Sequence, residues 1–227
     1  MVQITYYGHS CFMVNLAGTK ILFDPFITPN ELAKGIDITT INPDYILLSH
    51  GHGDHVEDVV AIAKQSGAKC VGVYEVMNWL NAQGVKNTHE MNTGGSREFD
   101  FGRVKLVNAV HSSSMPDGTY GGNPVGFVIT GKEHTFYYAG DTALTMDMQL
   151  IPEHFKLDFA FLPIGDNFTM DYIDAARAAE FVKCDDIIGM HYDTFGYIKI
   201  DHDVAKNAFS QKGKTLTLMK IGETLEK

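Results

Sequence analysis

Three cysteines, Cys11, Cys70 and Cys184, are all that the 227 residues contain, and no two form a CxxC pair. An odd, scattered set argues against a disulfide framework and fits a reducing cytosol. Positive charge is also scarce: 18 Lys and Arg stand against 28 Asp and Glu, a formal charge of −10. That balance disfavours broad contact with nucleic acid or anionic lipid. A small anionic substrate stays admissible, because bound cations can invert the local field. No apolar run is long enough to span a bilayer. The opening MVQITYYGHS has no basic stretch leading into an apolar one, so no signal peptide is read. Linkers rich in proline, serine or charge are missing too, while 44% hydrophobic content suffices for one sizeable core. The expectation is a soluble cytoplasmic α/β chain with one domain over residues 1–227. Neither a nucleic-acid nor a membrane partner is expected, and the oligomeric state is open.

What is present alternates between strand and helix patterns. A hairpin is read at the start, with ITYYGHSCFMVNL and KILFDPF as its arms and AGT as its turn. A patternless loop follows near Asn30 to Asn42. DYILLSH and CVGVYE read as strands. HVEDVVAIAKQSG reads as a helix stopped at Gly67, and VMNWLNAQG as another. REFDFGRVKLVNAVH and PVGFVITGKEHTFYYAGD read as strand runs, the latter turning at Gly131. Next come a helix around Asp147 to Phe155, the strand LDFAFLPIG, the amphipathic helix DYIDAARAAEFVK and the strand DDIIGMH. The short helix DVAKNAFSQ and a closing strand KTLTLMKI complete the chain. Meandering strands at both ends with strand–helix pairs between them predict two sheets packed face to face, with helices outside.

Several of these apolar runs stop at a residue suited to bind a metal: YILLS at His50, KLVNAV at His111, TFYYAG at Asp141 and DIIGM at His191. A strand end fixes a ligand while the loop beyond stays open to substrate. The densest signal is His50-Gly51-His52-Gly53-Asp54-His55. An extended backbone projects His50 and His52 to one side, and the glycines permit tight turns that aim Asp54 and His55 at a neighbouring point. Three imidazoles and a carboxylate in six residues repel one another when protonated and need partners when buried. Metal coordination resolves both problems, whereas an exposed His-rich loop is the bland alternative.

HxHxDH is the signature of the metallo-β-lactamase superfamily, which this chain resembles along nearly its full length. The resemblance implies a four-layer αββα sandwich and two divalent metal ions, zinc ahead of manganese, nickel or iron. It implies His50, His52 and His111 on one ion, Asp54, His55 and His191 on the other, and Asp141 bridging them. Within the superfamily, YGHSCF, LFDPF and PIGDNFTM are most similar to small bacterial metal-dependent hydrolases. That group is related to ascorbate-phosphate lactonase and, more distantly, to N-acyl-phosphatidylethanolamine phospholipase D. Asp141 in place of the cysteine of many β-lactamases, and the lack of an export signal, argue against a true β-lactamase.

The function so implied is hydrolysis of an ester, lactone or phosphodiester bond in a small molecule, with Asp54 orienting the nucleophile or taking its proton. Iron-dependent persulfide dioxygenase chemistry and non-catalytic metal binding are the competing readings. His9 is expected beside the metals as proton donor or substrate contact, with a satisfied core histidine as its alternative. Alternation would turn His9 and Cys11 to one face, Cys11 being read as a small buried residue. Asp24 is read as an acceptor for a ligating imidazole or as a turn residue before Pro25. Asp166 and Asn167 follow a strand run and are candidates for substrate or ligand contact. Asn123 is a candidate from the glycine-rich loop after His111.

Overall fold

The first 23 residues form three antiparallel strands where the pattern predicts two. A computed structural model, which describes Met1–Lys227, shows β1 (Val2–Gly8), β2 (Cys11–Leu16) and β3 (Thr19–Phe23). Gly8 at φ +106 and His9 at φ +56 reverse the chain inside what reads as one run. Tyr6 consequently pairs with Phe12 and Gly8 with Cys11. His9 therefore stands on a turn, and the same-face expectation for His9 and Cys11 does not hold.

Two short 3-10 turns, Glu31–Ala33 and Ile38–Thr40, occupy the expected loop. The fully buried β4 (Tyr45–Leu48) follows. The helical run after it is split into α1 (Gly53–Val56) and α2 (Val59–Ser66), the second stopped by Gly67 in the left-handed region as predicted. β5 (Lys69–Val73) passes straight into α3 (Tyr74–Ala82). β6 (Thr88–Met91) comes next, where His89 reads as lying in a polar loop. REFDFGRVKLVNAVH is likewise a hairpin, β7 (Ser96–Phe99) with β8 (Gly102–Asn108). β9 (Val125–Thr130) and β10 (Thr135–Tyr138) pair around the predicted turn. Met146–Glu153 winds as a 3-10 helix containing Pro152, which has no N–H to give an α-helical bond. β11 (Phe159–Pro163), α4 (Tyr172–Phe181), β12 (Asp186–Met190), α5 (His202–Ser210) and β13 (Thr215–Thr217) keep the predicted order. The closing run stops early, and a strand absent from the prediction, β14 (Thr224–Glu226), pairs with β1 instead.

Two seven-stranded sheets result, ordered β14-β1-β2-β3-β4-β5-β6 and β13-β12-β11-β10-β9-β8-β7. Their inner faces meet through aromatic rings. Phe12 on β2 lies 4.7 Å from Phe161 on β11, and Phe23 on β3 lies 4.5 Å from Tyr138 on β10. Each such fully buried ring contributes about 1.5–3 kcal/mol through burial. A single apolar cluster of 65 buried residues spans both sheets. α3 packs on β5 and β6, α4 on β11 and α5 on β13, which completes the αββα layering. No helix is long and apolar enough to cross a membrane. The ends of β1, β3, β4, β8, β10 and β12 all carry the chain into the cluster described next.

Candidate metal centre

β4 delivers His50 in a fixed orientation. Ser49, one residue past the strand, donates its N–H to Asp24 Oδ1 at 2.8 Å and its hydroxyl to Asp24 Oδ2 at 2.6 Å. That leaves the Ser49 oxygen to accept from His50 Nδ1 at 2.9 Å, so His50 Nε2 is free to face inward. His52 caps α1 with an extended backbone (φ −63, ψ 147) and brings Nδ1 to 3.0 Å from His50 Nε2. Its outer Nε2 lies 3.3 Å from the Ser112 hydroxyl. Gly51 meets a packing need beyond the turn role predicted for it. Neither Gly51 nor Gly53 takes a positive φ; a Cβ on Gly51 would lie 2.5 Å from Met115 Sδ, so close approach requires the glycine there.

Three groups of possible ligand atoms result, each within 4.8 Å: His50, His52 and His111 in one, His9, Asp54, His55 and His191 in another, and Asp24, His50 and His55 in a third, which is already linked by hydrogen bonds through Ser49 and to His55 Nδ1. Asp141 stands between the first two. Its Oδ2 is 4.0 Å from His50 Nε2 and 3.5 Å from His111 Nε2 on one side, and 3.3 Å from His55 Nε2 and 3.0 Å from His191 Nε2 on the other. Gly140, at φ +62, allows this approach: a Cβ there would sit 2.7 Å from Ser49 Cβ.

The electrostatics follow from packing imidazoles around buried carboxylates. Burial alone would raise the Asp141 carboxyl, yet His191 and His55 hold it well below the usual carboxylate range. Burial works against charge on His191, but Asp141 and Asp54 push it up to about 9. His55 is held well above its ordinary value by Asp141, Asp54 and Asp24, against burial. His50 goes the other way, pushed down by burial and by the neighbouring His55. The buried His55 Nε2, Asp141 Oδ1 and His191 Nδ1 make no hydrogen bond. Buried polar atoms are rarely left so. Imidazole nitrogens and carboxylate oxygens converging in this way are the donor set that suits divalent cations.

Asp24 is completely buried and accepts from His55 Nδ1 at 2.9 Å and from the Tyr138 hydroxyl at 2.9 Å, besides Ser49. Both of its readings are met, since Asp24 accepts from the His55 imidazole and also turns the chain before Pro25 at φ +40. Tyr138 and Ser49 are missing from the sequence-derived set because they read as strand core. His9 stands beside the cluster, in the group with Asp54, His55 and His191. Its side chain is 1% exposed and does not line the cavity. Nε2 lies 3.0 Å from Asp54 Oδ2, and Nδ1 3.0 Å from the Thr194 hydroxyl. His9 therefore sits behind Asp54 and orients it. Burial and His191 push its pKa down to about 4.

A cavity of about 730 Å³ opens on the cluster, lined by His52, Asp54, His111, Asp141 and His191 together with Ser112 and Phe168 and the loop Thr194–Tyr197. Asp166, Asn167 and Asn123 are not brought to it. Asp166 spends its Oδ1 on the N–H of Asn167, and Asn123 accepts from the Tyr120 hydroxyl at the surface. The side chain that reaches the cavity from that strand end is Phe168, which an inspection for polar residues passes over.

The family described as a β-lactamase superfamily domain matches residues 3–191 of this chain. A UPF0173 metal-dependent hydrolase of Flavobacterium johnsoniae is 56% identical over 225 residues, covering 99% of this chain and 100% of that protein. Its counterpart in Christiangramia forsetii is 55% identical over 226 residues, again covering 99% of this chain and 100% of the relative. Among solved structures, Igni18, a metallo hydrolase from Ignicoccus hospitalis, superposes with a TM-score of 0.89 at 33% identity, covering 99% of this chain and 97% of Igni18. The chain belongs to the metallo-β-lactamase superfamily and, within it, to the UPF0173 metal-dependent hydrolases.

Proposed function

We propose that this protein is a binuclear metal-dependent hydrolase, zinc being its preferred metal, acting on an ester, lactone or phosphodiester bond of a small molecule. One observation carries the reading: a single oxygen, Asp141 Oδ2, lies within 4.0 Å of imidazole nitrogens from both ligand groups. His50, His52 and His111 would hold one ion and Asp54, His55 and His191 the other, with Asp141 within reach of both groups. Bound divalent ions supply Lewis acidity toward the scissile group and acidify water at the site.

The chain's own residues do the rest. Asp54, its side chain 26% exposed, borders the cavity. His55, His191 and His9 hold its carboxyl below the usual range despite burial, so it is ionised at neutral pH. It accepts the proton of the attacking water, while His9 Nε2 fixes the orientation of its Oδ2. Asp24 keeps the His55 proton on Nδ1 and so leaves the Nε2 lone pair inward. The test is a hydrolase screen on purified protein across esters, lactones, thioesters and phosphodiesters, with metal content and oxygen uptake measured alongside. Two zinc ions per chain with turnover of one bond class is the expected result. Iron with oxygen consumption and no hydrolysis would overturn it.

A further inference from the structure

No lysine or arginine lines the cavity, whereas three aromatic rings do: Phe168, Phe195 and Tyr197. Phe168 is 50% and Tyr197 79% exposed, and their rings meet edge to face with centroids 6.4 Å apart. Large exposed apolar groups clustered at a cavity mark a contact for a ligand more often than scattered ones do. Here the backbone beneath each ring is pinned, so the rings are not the ends of slack loops.

Phe168 follows two consecutive left-handed residues, Asp166 (φ +64) and Asn167 (φ +56), a conformation that side-chain-bearing residues adopt at a conformational cost. The loop closes through Asp166 N–H to the Met170 carbonyl at 3.0 Å. Met170 in turn donates to the carbonyl of Thr142, the neighbour of Asp141, at 3.2 Å. Tyr197 lies in the 3-10 turn Gly196–Ile198, anchored by the fully buried Ile198. Asp193 N–H donates to the Ile198 carbonyl at 2.8 Å. The Asp193 carboxylate accepts from the Ile200 N–H at 3.1 Å and contacts His202 Nε2 at 2.6 Å. Phe195 leans on Phe26 and His9, with centroid distances of 6.1 and 5.3 Å. Strain and anchoring on separate segments thus hold three rings at the mouth of the ligand cluster.

We infer that the cavity takes an uncharged carboxylic ester whose acyl group carries a flat apolar moiety, seated on Phe168, Phe195 and Tyr197. This narrows, and rests on, the hydrolase reading above. A phosphodiester monoanion entering here would have only the bound cations to pair its charge, with no guanidinium or ammonium group of the chain to orient it. A flat apolar group meets ring faces and edges already in place, so little ordering entropy is lost on binding. In the reaction, the oxygen of water bonds to the acyl carbon and the acyl carbon–oxygen bond breaks. The alcohol oxygen leaves with a proton, giving carboxylic acid and alcohol.

The test compares methyl phenylacetate, methyl acetate and methyl phenyl phosphate on the metal-loaded protein and on Phe168→Ala/Tyr197→Ala. The wild type is expected to favour methyl phenylacetate over both others in kcat/KM. The double variant should lose that preference over methyl acetate by on the order of ten-fold, mainly through KM. Both rings are at least half exposed, so the fold should survive, as circular dichroism checks. A second readout is independent of ester turnover: saturation-transfer NMR to the ring of N-methyl-2-phenylacetamide, an amide analogue whose integrity is checked in the same spectra. Transfer in the wild type and its loss in the variant support the aromatic seat even if no ester is hydrolysed, in which case the ester assignment falls and the seat stands; absence of turnover across every bond class of the screen would fell the hydrolase reading itself. Faster cleavage of methyl phenyl phosphate than of methyl phenylacetate would overturn the substrate class while leaving a hydrolase. Ester selectivity and NMR transfer unmoved by the double substitution would overturn the aromatic seat itself.

Discussion

Replacing Asp24 by Asn should weaken metal binding about 10–100-fold without touching any ligand. Asp24 Oδ1 takes the Ser49 N–H, while Oδ2 takes the Ser49 hydroxyl, the Tyr138 hydroxyl and His55 Nδ1. In Asp24→Asn the first bond survives, but an NH2 group replaces Oδ2. The Ser49 hydroxyl can rotate, and Tyr138 keeps the Ser10 carbonyl at 2.8 Å. His55 has no such alternative. Facing a donor, its Nδ1 must accept, which moves the proton to Nε2 and removes the lone pair a cation needs. A hydrogen bond to a charged group is worth about 1.5–3 kcal/mol. A 10–100-fold loss of affinity corresponds to about 1.4–2.8 kcal/mol, the same magnitude. Zinc affinity measured by chelator competition, with urea unfolding of the metal-free protein run in parallel, separates the tautomer effect from general destabilisation. Wild-type affinity in the variant would refute the proton assignment on His55.

Asp141→Asn should lower occupancy of both ions together with any turnover, while circular dichroism stays that of the folded protein. Elemental analysis showing unchanged metal content would count against a shared ligand. The pH dependence has a definite sign. In the metal-free chain His191 is pushed up to about 9 by Asp141 and Asp54 against burial, and a ligating imidazole must be deprotonated. At neutral pH metal uptake therefore displaces protons, and affinity should rise with pH until about 9. Proton release in weakly buffered titrations, or chelator competition across pH, measures this directly; affinity independent of pH between neutrality and 9 would contradict it. Gly140→Ala places a Cβ 2.7 Å from Ser49 Cβ and 2.9 Å from the Val125 carbonyl oxygen, at φ +62. Overpacking and the left-handed backbone together should cost about 2–4 kcal/mol, read as a shift of the urea midpoint.

The convergence of the His/Asp cluster was legible because its parts are local or lie at strand ends. His50, His52, Asp54 and His55 span six residues, and α1 folds them back on themselves through the His55 N–H to the His52 carbonyl at 2.9 Å. His111, Asp141 and His191 each follow a buried run that any αββα packing brings to one side. Harder to read were residues whose role depends on direction. His9 sits in a turn inside what reads as one strand run, and the positive φ values of His9, Asp24 and His191 have no local sequence mark. Asp166 and Asn167 look chemically apt but turn away, while Phe168 beside them reaches the cavity.

From the amino-acid order alone came the layered architecture and the donor set, since hydrophobic periodicity and ligand chemistry are properties of short segments. Tertiary structure alone decided which atom meets which. It paired β14 with β1 across more than two hundred residues, set Asp24 against His55 and Tyr138, placed His9 behind Asp54, and raised an aromatic rim from two distant loops. Side-chain direction beyond a strand end, and contacts between segments remote in the chain, are fixed by packing that no local window contains.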